Sequence, residues 1–262
     1  MEKIPPNLAG SGAIEIAKKL KLISGGNILD IGSGDGDSIQ FLIDFLKSYD
    51  SIVGIDTDEQ EIKKAQRRFK NKLITCKLMN GEKIEFSDKM FDLVNIAFSL
   101  HHLQNLNETL SEMKRVLKEG GYFIIQEMFC NGNQTNSQKC DTIVHQFGAE
   151  IDRKLGNYHR KEFTKEEILN VISKLKLKDL NILESSRYPK CLKCPEKYNC
   201  EDPKFPSIIK STLEGIDRNL ERIKGHKKFP ELKERAETIK KKIKKYGISS
   251  ASILFCIGRK KY

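Results

Sequence analysis

The sequence predicts an α/β protein built on a doubly wound, mostly parallel sheet. Short, fully apolar runs alternate with amphipathic stretches through the first 184 residues, and one run feeds straight into a glycine-rich turn that opens a helix. The runs Asn27-Ile28-Leu29-Asp30-Ile31, Ser51-Ile52-Val53-Gly54-Ile55, Phe91 to Ala97 and Tyr122-Phe123-Ile124-Ile125 read as strands buried on both faces. Between them, residues 36–48, 58–70 and 107–118 have the length and periodicity of crossover helices. Thr57-Asp58-Glu59-Gln60 predicts a capping box at the second helix, and Gly120-Gly121 predicts the end of the third.

The rhythm changes after residue 184. A Cys- and Pro-rich stretch precedes two basic amphipathic helices at about 207–224 and 229–246, whose apolar positions recur every three or four residues. Residues 250–259 are strand-like again. The expected organisation is therefore one domain from 1–184 and 248–262, interrupted at 185–247 by an inserted Cys loop and helical cap.

Composition limits the classes. The chain is 38% hydrophobic, and its 18 Gly bring the apolar share to about 45%, enough for a packed core. No apolar run approaches bilayer length, and Met1-Glu2-Lys3-Ile4-Pro5-Pro6 has no signal-peptide core, so a cytoplasmic protein without membrane association is expected. The net charge of +11 is uneven: residues 201–262 hold 17 Lys/Arg against 8 Asp/Glu. That block reads as a solvated helix face, with a nucleic-acid surface as the alternative. The seven Cys lack a secretory context, so clustered Cys read as metal ligands, redox groups or chance neighbours kept as reduced thiols rather than a disulfide framework.

The sharpest motif is Asp30-Ile31-Gly32-Ser33-Gly34-Asp35-Gly36-Asp37. Glycines there let backbone amides approach a ligand at a helix N-terminus. A dinucleotide fingerprint would place Gly or Ala where Asp37 stands, and Asp30, Asp35 and Asp37 would repel a pyrophosphate. A cationic ligand suits the loop better.

This motif resembles the first motif of the class I S-adenosylmethionine-dependent methyltransferases, in particular the methyltransferase type 11 group related to the quinone-biosynthesis C-methyltransferases. Phe86-Ser87-Asp88-Lys89-Met90-Phe91-Asp92-Leu93-Val94 and Arg115-Val116-Leu117-Lys118-Glu119-Gly120-Gly121 resemble the family's approaches to its fourth and fifth strands. The resemblance implies a Rossmann-like sheet of seven strands in the order 3-2-1-4-5-7-6, the last antiparallel, with the insertion before it. It implies S-adenosylmethionine binding by Asp30, Gly32, Ser33, Gly34 and Gly36, with Asp56 and Thr57 at the ribose. Asn80 and Gly81 stand where the family has Asp-Ala beside the adenine, and an amide oxygen can still accept from that amine. Ala97, Phe98 and His102 fall in the loop beside the methionine portion, where His101 and His102 are equally readable as structural.

Methyl transfer is an in-line displacement that needs positioning rather than a universal catalytic residue. His145, Asp152, Tyr158 and His159 are the candidates for a base, since the region after the fifth strand commonly covers the acceptor pocket in the family this chain resembles. His145, Ala149 and Asp152 would share one helix face.

Cys191, Cys194 and Cys200 form a Cys-x2-Cys-x5-Cys cluster, with a fourth ligand to come from Cys130, Cys140, Cys256, a His or outside. Zinc and an iron–sulfur cluster both suit the spacing, which resembles the first three ligands of auxiliary clusters in radical enzymes; the fourth of that pattern would fall at Lys204. From the family's chain order, the insertion would emerge as a lid selecting the acceptor. The expected function is methyl transfer to a small-molecule acceptor. The alternatives are an RNA or protein methyltransferase using the basic helices, or a non-catalytic S-adenosylmethionine-binding sensor or assembly subunit.

Overall fold

The computed structural model describes residues 12–186, 192–193 and 202–261. Contacts divide the chain into two compact units. The sheet unit is Ile14–Glu127, Glu166–Glu184 and Leu254–Tyr262; the helical unit includes Met128–Lys165 and Ser185–Ile253 in their described parts.

In the sheet unit the strands are β1 (Asn27–Ile31), β2 (Ser51–Asp56), β3 (Ile74–Leu78), β4 (Phe91–Ala97), β5 (Leu117–Met128), β6 (Lys178–Ser185) and β7 (Ile253–Arg259), in the order β3-β2-β1-β4-β5-β7-β6. β2, β1, β4 and β5 pair in parallel, with Asp30 level with Gly54 on one side and Asn95 on the other. β7 runs antiparallel: the Gly120 amide donates to Lys260 O, and the Lys260 amide donates to Gly121 O, both at 3.0 Å. The seven strands, their order and the reversed last strand are those the resemblance implied.

Helices α1 (Ala13–Leu20), α2 (Asp37–Phe45), α3 (Glu59–Arg68), α4 (Leu106–Val116) and α6 (Lys165–Lys174) complete this unit. Each turns an apolar stripe inward, for example Ile39, Leu42 and Phe45 of α2 and Ile168, Val171 and Ile172 of α6. Two expected helix boundaries move. Asp58, not Thr57, caps α3, accepting from the amides of Gln60 at 2.8 Å and Glu61 at 3.1 Å. A carboxylate one residue nearer the helix reaches both orphan amides and complements the dipole. Gly120-Gly121 lie inside β5 rather than at the end of α4, which stops at Val116, because their backbone pairs with β7.

The helical unit is held by α5 (Asn136–Lys154), α7 (Pro206–Arg222) and α8 (Phe229–Tyr246). Their shared core is Phe147 and Ile151 from α5, Ile216 and Leu220 from α7, and Leu232, Ala236, Ile239 and Ile243 from α8. The basic helices thus bury the stripe their periodicity predicted. Residues 128–165 pack with them, so the compact unit is larger than the 185–247 insertion. α5 opens with a capping box between Thr135 and Gln138. Much of the positive charge is locally answered, by Lys240 on Asp217 at 2.6 Å, Lys228 on Glu231 at 2.7 Å and Arg222 on Asp152 at 2.5 Å. Among the described residues no helix is long and apolar enough to cross a membrane.

Candidate functional site

Strand order reverses between β1 and β4, leaving a crevice at their carboxyl ends where α/β sheets bind ligands. The Gly32–Gly36 loop lies there. Gly32 and Gly34 take φ of 67° and 50°, and Gly36 one of 94° just before α2. A Cβ on Gly32 would fall against Ser99, 2.7 Å from its Cβ, whereas one on Gly34 would meet nothing within 4 Å. Gly32 is therefore fixed by packing, and Gly34 leaves open space beside exposed backbone.

Asp56, half-buried at the end of β2, grips the loop. Its Oδ2 accepts from the Gly34 amide at 2.9 Å, and its Oδ1 accepts from the Asp58 amide at 2.9 Å. Each oxygen keeps a further lone pair for a ligand hydroxyl. Ser33 is buried, its amide bonded to Ile55 O at 3.0 Å, and its Oγ has no partner among the described residues. Thr57 is exposed beside Asp56.

Asp30 is fully buried behind the loop. Ser38 Oγ donates to its Oδ2 at 2.5 Å, and Asn95 Nδ2 donates to its Oδ1 at 2.6 Å. Burial pushes the Asp30 carboxyl up to about 7 against these two donors, with the nearby Asp56 charge adding to the rise. Asp30 thereby ties α2 and β4 to β1 from beneath the loop.

Asn80 is exposed after β3, and its Oδ1 accepts from the Glu82 amide at 2.9 Å, leaving one lone pair outward. Gly81 is buried, with an added Cβ only 3.0 Å from Ile31 Cγ2. After β4, Phe98 has φ 51° and donates its amide to Gln126 O at 2.8 Å. Ala97 is buried and His102 exposed, its ring 4.3 Å from that of His101.

Sequence reasoning missed Glu127. It is fully buried at the end of β5, where Oε2 accepts from the Leu100 amide at 2.9 Å and Oε1 lies 3.0 Å from His101 Nδ1. It fixes the turn after β4 and holds the His101 ring through Nδ1. The available signal was the polar pair Gln126-Glu127 closing an apolar run.

In the helical unit, three of the four base candidates come together. His159 Nδ1 lies 2.7 Å from Asp152 Oδ2, His145 Nδ1 lies 2.7 Å from Glu162 Oε1, and the two imidazoles are 5.0 Å apart. Arg222 reaches Asp152 Oδ1, and Arg153 donates to His159 O at 2.7 Å. Burial would raise the Asp152 carboxyl, but the His159 and Arg222 hydrogen bonds prevail and hold it below the usual carboxylate range. Tyr158 is exposed.

Cys191, Cys194 and Cys200 lie outside the described residues. Of the thiols considered as a fourth ligand, Cys140 is part of the helical core, with its pKa raised by burial. Cys256 is buried in β7 and pushed up to about 12. Cys130 is half-buried, its Sγ 3.9 Å from Glu162 O.

A family model described as a methyltransferase domain matches residues 29–125. Over 154 residues the chain is 30% identical to the sterol 4-C-methyltransferase strm-1 of Caenorhabditis elegans, covering 54% of this chain and 44% of that protein. Over 127 residues it is 29% identical to the ubiquinone/menaquinone biosynthesis C-methyltransferase UbiE of Ectopseudomonas mendocina (strain ymp), covering 47% and 50%. The chain thus spans about half the length of these curated relatives.

Among solved structures, it is similar to Haemonchus contortus phosphoethanolamine N-methyltransferase 2 in complex with S-adenosyl-L-methionine. That match has a TM-score of 0.56 and 18% identity, covering 98% of this chain and 55% of that one. It is also similar to the [4+2]-cyclase SpnF, with a TM-score of 0.58 and 14% identity, covering 95% and 80%. At such identities the two structures speak for the fold alone, and the cyclase illustrates that one fold hosts different chemistry.

Proposed function

We propose that this chain, whose residues 29–125 match a methyltransferase-domain family model, is a class I S-adenosylmethionine-dependent methyltransferase acting on a small-molecule acceptor. The observation that carries the reading is the Gly34 amide held at 2.9 Å by Asp56 in the crevice where strand order reverses. The donor set fits this cofactor. Asp56 retains acceptor capacity for the two ribose hydroxyls, Asn80 retains one lone pair for an adenine amine, and the space beside Gly34 admits a chain end. The carboxylates Asp35 and Asp56 suit a ligand bearing an ammonium and a sulfonium.

When bound, S-adenosylmethionine supplies a methyl group activated for in-line displacement. The residues of this chain would hold and orient it. Asp56 and Thr57 border the ribose, the Gly32–Gly36 backbone and Ser33 form the cradle, Asn80 and Gly81 border the adenine, and Ala97, Phe98 and His102 border the methionine portion. Asp30 acts from beneath, as the brace that keeps the loop in place. Among the described residues of the helical unit, the His159–Asp152 and His145–Glu162 pairs could accept a proton where an acceptor must lose one.

The small-molecule reading is supported by the named activities of the relatives, which concern a sterol and quinones. Chain order supports acceptor selection by the inserted segment. A zinc or iron–sulfur site at Cys191, Cys194 and Cys200 is carried as a separate proposal, to be decided by metal and sulfide analysis of anaerobically purified protein.

Calorimetric titration with S-adenosylmethionine is the direct test. Micromolar binding is expected, weakened at least about tenfold by Asp56→Ala with the fold retained by circular dichroism. Labelled-methyl assays on sterol, quinone and amine acceptors then identify the substrate class. Absence of cofactor binding would overturn the reading, and tight binding without turnover on any acceptor class would favour a sensor or assembly subunit.

A further inference from the structure

The helical unit contains a cavity of about 630 Å³ that the cofactor site does not use, a size typical of small-ligand sites. One wall is a stripe of α5 carrying Gln146, Ala149, Glu150, Arg153 and Lys154, spaced so that they share a face. Lys161 and Glu162 close a second side, and Arg235 of α8 a third. Glu162 stands on a fixed segment: Phe163 bridges to Phe129, and the Cys130 amide donates to Phe163 O at 3.0 Å.

The charges around this cavity are sorted by position. Glu150 is ion-paired with Arg235. Arg153, Lys154 and Lys161 are exposed at the rim; Arg153 donates to His159 O at 2.7 Å, and Lys154 stands near enough to Glu231 to favour its ionised form. Glu162, only 5% exposed, carries the opposite sign. Its Oε1 is engaged by His145 at 2.7 Å, and the Gln146 side chain, which also lines the cavity, helps to hold the carboxylate. Burial opposes ionisation of Glu162, but the His145 hydrogen bond prevails and holds the carboxyl below the usual range, so it is an anion at neutral pH.

A simple anion would meet the Glu162 carboxylate, and a simple cation would meet the positive side chains of Arg153, Lys154 and Lys161. The geometry points to a binding site in the helical unit for a small zwitterion, its primary ammonium directed to Glu162 and its carboxylate or phosphate to Arg153, Lys154 and Lys161. The enclosure of Glu162 selects a compact ammonium over a substituted one, and the charged rim tolerates either acidic group. The site shares Glu162 with the His145 pair named above, and its test reads ligand affinity rather than methyl transfer.

The test is calorimetric titration of the full chain with β-alanine, 4-aminobutyrate, 6-aminohexanoate and O-phosphoethanolamine, using butyrate, butylamine and inorganic phosphate as single-ended controls. At least one two-ended probe should bind about tenfold tighter than every control. Glu162→Gln and the double variant Lys154→Ala/Lys161→Ala should each weaken it about tenfold. The first is isosteric and the second lies on the surface, so circular dichroism should be unchanged. The proposal is overturned if no two-ended probe binds at millimolar concentration, if the controls bind equally well, or if Glu162→Gln leaves affinity unchanged in a folded protein. Failure to bind S-adenosylmethionine would touch the methyltransferase reading and leave this one standing.

Discussion

The Gly34 amide donates to Asp56 Oδ2 at 2.9 Å, and through that bond the β1–α2 loop is fastened to the end of β2. The same carboxylate receives the Asp58 amide, so one side chain positions the glycine turn and the start of α3 together. Loop and carboxylate are therefore a single device, and their substitutions should act together.

Gly34→Ala and Gly32→Ala should separate. At Gly34, φ of 50° strains an L-residue but an added Cβ meets nothing within 4 Å, so stability should fall by only about 1 kcal/mol. Cofactor affinity should fall at least about tenfold, because the methyl group occupies the approach to the backbone. At Gly32 the Cβ meets Ser99, and about 2–4 kcal/mol of stability should be lost. Thermal denaturation with and without S-adenosylmethionine reads both effects; unchanged affinity in Gly34→Ala would remove the loop from the cofactor site.

Asp30 should give the sheet unit a pH-dependent stability of unusual sign. Its folded pKa of about 7 exceeds the ordinary 3.8, so between these values the folded state holds a proton that the unfolded state has released. Stability is thus highest below about pH 4 for this group and declines as pH rises to about 7, by at most ~4 kcal/mol. Asp30→Asn should flatten that slope and be more stable than the parent at pH 8. The Asn95 Oδ1, unpartnered among the described residues, can accept from the new amide after a flip of its side chain. Urea midpoints at pH 5.5 and 8 measure it, and parallel shifts in parent and variant would contradict it.

Glu127→Ala should loosen the turn after β4, since it leaves the Leu100 amide and His101 Nδ1 without this acceptor. A loss of about 2–4 kcal/mol is expected, and Glu127→Gln, which keeps one acceptor oxygen, should lose about half as much. Hydrogen exchange at Leu100 and His101 should accelerate in the Ala variant; protection at the parent level would show that the turn stands without Glu127.

In the helical unit, Asp152→Ala should cost about 2 kcal/mol at pH 7, because the carboxylate serves His159 and Arg222 at once. Its folded pKa is depressed, so the contribution is present above the ordinary 3.8 and lost as pH falls through the folded value. Parent and variant should therefore converge in strongly acidic solution. A difference that persists undiminished there would assign the effect to packing.

By itself the sequence determined the parallel sheet and the glycine turn. β1, β2 and β4 were readable because strands buried on both faces must be apolar throughout, and Gly32, Gly34 and Gly36 because only glycine takes successive positive φ without strain. The amphipathic stripes of α7 and α8 were legible for the same reason: a local period reports burial whatever the partner. Only the tertiary structure decided who the partners are. Ser38 and Asn95 on Asp30, Glu127 under His101, and the packing of α5 against α7 and α8 join residues far apart in the chain. Gly120-Gly121 passed from an expected helix end into β5 because Lys260, 140 residues away, supplies their hydrogen bonds. Periodicity records that a side chain is buried. Its charge state and its hydrogen bonds depend on every neighbour that excludes water from it, and those neighbours exist only once the chain has folded.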